Sequence, residues 1–155
     1  MNQRGGSFFR GLLVGSIGTY LAGEALTQTR HRRYSDATER GTQAMATAYA
    51  DEVKRVRSLG VEAGDIAEAT GAEVGTVSSW ARSKRQPSTE FRARLLELIA
   101  VVDRLSGAMD PAYVPLWLNK PLPALGDETP VAALGQGRYK EVSRLVAELE
   151  NDSFS

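Results

Sequence analysis

Between Val61 and Pro87 the chain reads VEAGDIAEATGAEVGTVSSWARSKRQP, and this stretch constrains the fold more than any other. Two short helices that cross closely need a small residue at the crossing. They also need a glycine at the turn, where the backbone goes left-handed, and apolar residues holding the second helix on the core. Ala67, Gly71, Val77 and Trp80 fill these places at offsets of four, ten and thirteen from Ala67, with Ile66 and Val74 completing the apolar contacts. The spacing predicts a helix-turn-helix whose second helix runs from about Glu73 to Arg82. Trp80 is expected in the core rather than stacked on a base.

The flanking sequence has the same helical period. Upstream, Met45, Tyr49, Val53 and Val56 recur at spacings of four and three. Downstream, Pro87 and Ser88 end the loop and cap a helix on which Phe91, Leu95, Leu98, Ile99, Val102 and Leu105 share one face. Leu96 and Val101 lie off that face and widen it. Such a linker or dimerisation helix contacts two bodies at once, its own helix-turn-helix and either a partner subunit or the following domain; the alternative is a buried core helix. Asp110-Pro111 and Thr129-Pro130 each read as an N-cap with proline in the first turn, opening helices through Tyr113–Leu118 and VAAL. Gly135 ends the second of these. A last helix from Arg138 to Glu150 places Tyr139, Val142, Leu145, Val146 and Leu149 on one side. Strand signals are absent, so the expected fold is all-α. It divides into a helix-turn-helix module over 45–87, a linker or dimerisation helix over 88–107, and a small helical domain over 108–155.

Residues 1–44 read as an extension. Their apolar, glycine-rich run from Gly11 to Gly23 falls short of the roughly 20 residues needed to cross a bilayer, which argues against a membrane span. Three readings stay open: a targeting segment, a helix packed on the rest of the protein, or a loosely ordered extension upstream of a start at Met45.

Enzyme chemistry finds little support. With no cysteine, thiol nucleophiles, disulfides and zinc–thiolate sites are excluded. The one histidine, His31, cannot build a metal site alone, and no glycine-rich phosphate loop follows a strand. The Asp127-Glu128 pair lies at a helix start, where carboxylates favour the helix dipole. Neither a metal nor a cofactor is expected.

The charges are polarised although they sum to zero. Up to Pro87 the chain has 12 basic and 9 acidic side chains, and after it 7 and 10. On the second helix of the helix-turn-helix, Thr76, Ser78 and Ser79 face outward, with Arg82, Lys84 and Arg85 just beyond it. Hydroxyls can bond phosphates or base edges, and the cations suit phosphates. About three phosphate contacts per subunit, or about six in a dimer, give a salt slope near −5. No Arg, Asn or Gln on that face offers bidentate base reading, so a scaffold with a merely solvated basic surface is the competing account.

The stretch PLWLNKPLPALGDETPVAALGQGRYKEVSRLVAELE resembles the toxin-binding domain of the Xre/MbcA/ParS antitoxin family. The resemblance rests on Trp117-Leu118, Pro121 and Pro123, Leu125-Gly126, Thr129-Pro130, Leu134, Gly137, and Val142 with Leu145. The family also places a helix-turn-helix and a long helix upstream, so the match spans about Met45 to Phe154. It implies a cytoplasmic, homodimeric antitoxin that neutralises a RES-domain, NAD-degrading toxin by direct binding and represses its own operon at an operator DNA. The alternative is a stand-alone helix-turn-helix transcription regulator.

By the resemblance, Trp117, Leu118, Leu125, Gly126, Thr129 and Pro130 shape the toxin-binding domain. Asn151, Asp152, Ser153, Phe154 and Ser155 form a tail that occludes the toxin's active site. Asn151-Asp152 stands where the family often has glycine, which leaves the tail's path open. Physically, Phe154 on a short flexible tail can enter a cleft while Glu148, Glu150 and Asp152 meet a basic rim. Trp117 is either core or interface, with the core role favoured by the proline loop that follows it.

Overall fold

A computed structural model describes the backbone of residues 9–153, and side chains for 32–33 and from 35 to 152. The apolar run Gly11–Gly23 and His31 have side chains outside the described residues, as do Ser153, Phe154 and Ser155. The described residues form helices and no strand, so the protein is all-α. Its elements are α1 (Phe9–Ser58), α2 (Ala63–Thr70), α3 (Val74–Ala81), α4 (Thr89–Ala108), α5 (Val114–Leu118), α6 (Pro130–Gly135) and α7 (Tyr139–Ser153). Short 3-10 turns at Pro111–Tyr113 and Pro123–Leu125 flank α5.

The chain divides into two compact units, Met1–Thr42 and Gln43–Ser155. In the first, the described backbone is helical from Phe9 onward, and every described side chain is exposed. Among the described residues no helix is long and apolar enough to cross a membrane.

The second unit has one continuous core. Val53 and Val56 of α1, Ile66, Ala67 and Ala69 of α2, Val77 and Trp80 of α3, and Leu95, Leu98, Val101, Val102 and Leu105 of α4 join Leu118, Leu125, Leu134, Val142 and Val146. Helix α4 touches α2, earlier in the chain, and α5, α6 and α7, later in it, so it packs on both the expected helix-turn-helix module and the domain that follows. Of its two off-face residues, Val101 is fully buried and Leu96 lies open to solvent.

Two expected core contacts fall on the surface. Met45 is 50% exposed, because the buried stripe of α1 runs instead through Ala46, Ala50, Val53 and Val56, whose small first members let the helix lie close. Val74 is 51% exposed at the first position of α3.

The local chemistry explains the helix ends. Asp65 accepts from the backbone N–H of Glu62 at 2.8 Å and so fixes the start of α2. Gly71 closes α2 at φ 74°, with its N–H directed at the Ala67 and Glu68 carbonyls. Asp110 accepts from the Ala112 N–H at 2.9 Å, and Thr129 from the Ala132 N–H at 3.2 Å, so both proline-bearing caps form as expected. The last helix does not stop at Glu150. It continues through Ser153, so the described part of the expected flexible tail is helical. With Asn151-Asp152 in place of glycine, no left-handed residue is present to terminate the ladder.

Gly135 has a second role beyond ending α6. A Cβ there would approach the backbone oxygen of Glu68 well inside 3.0 Å, so α6 meets α2 backbone to backbone. Arg94 of α4 donates to the carbonyl of this same glycine, tying three helices at one point.

Candidate functional site

Two surfaces collect the residues singled out in the sequence. The first surrounds α3. Val77, Trp80 and Ala81 bury one side of this helix, and the Trp80 ring lies 5.8 Å from that of Phe91 on α4. Trp80 is therefore core, as its spacing implied. Thr76, Ser78 and Ser79 are half-buried, and the Ser79 hydroxyl is already engaged, donating to the Gly75 carbonyl at 3.0 Å. Past α3 the chain turns through Ser83 at φ 56°, with its N–H donating to Trp80 and the Lys84 N–H to Ser79. A non-glycine residue at positive φ is uncommon, and here the turn leaves Arg82, Lys84 and Arg85 all exposed. Of the six residues proposed to meet DNA, the three cations are the accessible ones.

The second surface is built from α5, the loop to α6, and α7. Leu118, Leu125 and Pro130 are buried, Thr129 caps α6, and Gly126 makes a left-handed turn at φ 77°. Of these five, Leu118, Leu125 and Pro130 lie inside the domain, Thr129 is half-buried and Gly126 is exposed. A paired link between Leu122 and Glu128 closes the loop around that turn. Arg138 clamps it, donating to Glu128 at 2.9 Å, to Glu141 at 2.6 Å and to the Leu125 carbonyl. The Arg138 hydrogen bond holds the Glu141 carboxyl below its ordinary value.

Trp117 differs from the core position favoured for it: it is only half-buried. It packs against the core that its neighbour Leu118 fills, with part of its surface left open. With Leu122, Pro123, Ala124, Leu145 and Leu149 it lines a groove of about 250 Å³, beside Glu148 and Asp152. On the same short helix Leu116 is 65% exposed, and Tyr113 just before it 59%.

The acidic end of α7 is divided. Glu150 is held by Arg104 of α4 through paired bonds of 2.9 and 2.7 Å, and Arg104 also reaches the Ser143 hydroxyl at 2.6 Å. That pairing lowers the Glu150 carboxyl below its ordinary value. Glu150 therefore ties α7 to α4, whereas Glu148, Asn151 and Asp152 are exposed. Sequence spacing could not show this pairing, because Arg104 and Glu150 are far apart in the chain.

Among the described residues no group of three or more His, Asp or Glu side chains converges as a metal site would. The described surface thus combines an exposed cationic turn after α3 with an apolar, acid-edged groove beside α7, on an all-helical body. A scan against protein-family models finds no match. Over 118 residues the chain is 30% identical to the Prs ADP-ribosylating antitoxin of Sphingobium sp. (strain YBL2), covering 68% of this chain and 74% of that protein. The fold is similar to a chain in the crystal structure of the M. tuberculosis MbcT–MbcA toxin–antitoxin complex. There the TM-score is 0.59 at 22% identity, over 66% of this chain and 94% of that one. The chain belongs to the MbcA/Xre-type antitoxin family.

Proposed function

We propose that this antitoxin neutralises a RES-domain, NAD-degrading toxin by direct contact through residues 108–155, with the end of α7 and the residues after it occluding the toxin's active site. The likeness to the Prs ADP-ribosylating antitoxin carries this reading. ADP-ribosyl transfer and NAD breakdown consume the same dinucleotide, so a toxin of either kind must present an anion-binding cleft. The antitoxin acts by binding, with no catalytic step of its own.

The α2–α3 pair serves as a helix-turn-helix over 45–87 in the same proposal. As a homodimer it brings Arg82, Lys84 and Arg85 of each subunit to operator phosphates and represses its own operon. The hydroxyls of Thr76 and Ser78 approach base edges. The exposure of those three cations favours DNA contact over an inert scaffold.

Co-expression with a RES-domain toxin tests the proposal. A stable complex and restored growth are expected. Persistent toxicity without a complex leaves a stand-alone transcription regulator as the function.

A further inference from the structure

Val74 stands outside the core. It is 51% exposed at the first position of α3, while Val77, Trp80 and Ala81 do that helix's packing. The next residue, Gly75, has no atom within 4 Å of the place its Cβ would occupy. A glycine there weakens the helix relative to alanine, and no contact inside the chain requires it. What the missing side chain permits is close approach of another molecule to the backbone. Just before Val74, the exposed Glu73 makes no side-chain cap to the helix, and its carboxylate would be repelled by phosphate. The exposed cations Arg82, Lys84 and Arg85 lie at and past the opposite end of α3. The two ends of this helix therefore match different parts of a duplex. Its C-terminal end matches the phosphates, and its N-terminal turn matches base edges, which is the end a recognition helix commonly presents to them.

Among base edges, one group fits an exposed branched apolar side chain. In the major groove thymine alone of the four DNA bases presents a methyl group, and small apolar side chains contact it. Neither Val74 nor Gly75 carries a side-chain donor or acceptor, and the Ser79 hydroxyl already donates to the Gly75 carbonyl. We infer that Val74 reads the 5-methyl group of a thymine, with Gly75 letting α3 come close enough for the contact. Choice of half-site then depends on an apolar contact rather than on a bidentate hydrogen bond, and Val74 is its specificity-determining residue. This contact presupposes the proposed DNA reading of α2–α3 and names one residue and one base within it.

The test uses the full chain and a pool of randomised duplexes, selected by retention at low salt, followed by affinity measurements on a selected duplex. The selected sequences should share a thymine at a fixed position. Replacing that thymine by uracil deletes only the methyl group and should weaken wild-type binding about fourfold, the factor expected for one buried methyl-sized group. Val74→Ala changes an exposed position, and an unchanged thermal melt establishes that the variant folds. It should bind the thymine duplex more weakly by a similar factor and no longer distinguish thymine from uracil. Salt-dependent retention of all duplexes without a shared thymine would keep the DNA reading and overturn the inference. A uracil penalty equally large in Val74→Ala would overturn it too. If no duplex is retained even at low salt, the DNA reading itself fails and the inference with it.

Discussion

Replacing Gly135 with alanine tests the close approach of α6 to α2. The new Cβ would meet the Glu68 backbone oxygen far inside the 3.0 Å that real Cβ atoms keep. No rotamer relieves a clash with backbone, so the helices must separate by on the order of 1 Å, a gap that forfeits roughly a quarter to a half of each dispersion contact across it. The contacts at stake are those around Ile66, Ala69, Val131 and Leu134, all buried. Overpacking of this kind costs about 1–3 kcal/mol. The better helix propensity of alanine offsets up to about 1 kcal/mol of that. The net loss should be about 1–2 kcal/mol, lowering Tm by roughly 4–10 °C in a unit of this size. Gly107→Ala is the matched control, because Gly107 lies in α4 with nothing near its missing Cβ. It should raise stability by a few tenths to about 1 kcal/mol. Thermal melts by circular dichroism read both. A Gly135→Ala chain as stable as its Gly107→Ala counterpart would refute the packing argument.

Three further outcomes are expected. Glu150→Gln should lower Tm at neutral pH, because the Arg104 bond depresses the folded carboxyl relative to the unfolded one. That stabilisation is full above the ordinary value of 4.5 and is lost as pH falls through the lowered folded value, so wild-type and variant melts should converge in acid. Neutralising Arg82, Lys84 and Arg85 together should weaken DNA binding equally for all sequences and remove about 2.5 per subunit from the salt slope in a filter-retention titration. Unchanged retention would leave the α2–α3 pair as a scaffold. Deleting residues 151–155 should reduce inhibition of the toxin more than it reduces toxin binding, and equal losses would count against occlusion by this end of the chain.

The parts of the fold legible in the sequence are those set by local chemistry. Periodicity placed α3, α4 and α7, and Asp110-Pro111 and Thr129-Pro130 each placed a cap to the residue. Gly71 announced its left-handed turn because so few residues tolerate one. The contacts that escaped notice are long-range. Gly135 looked like a helix end, while its closeness to Glu68 depends on how two helices cross. Glu150 looked like a free surface acid, while Arg104 claims it from 46 positions away. Met45 and Val74 fit the apolar spacing yet are half exposed, since a period fixes a face but not where along the helix its burial begins. In the candidate site, Trp117 was singled out, but its groove partners Leu145 and Leu149 were read only as one apolar side of α7.

The central claim is tested most directly by measuring NAD breakdown by the purified RES-domain toxin while this chain is titrated in. Breakdown should fall to background once antitoxin and toxin reach a fixed stoichiometric ratio. A rate that stays unchanged in excess of the chain would contradict the account.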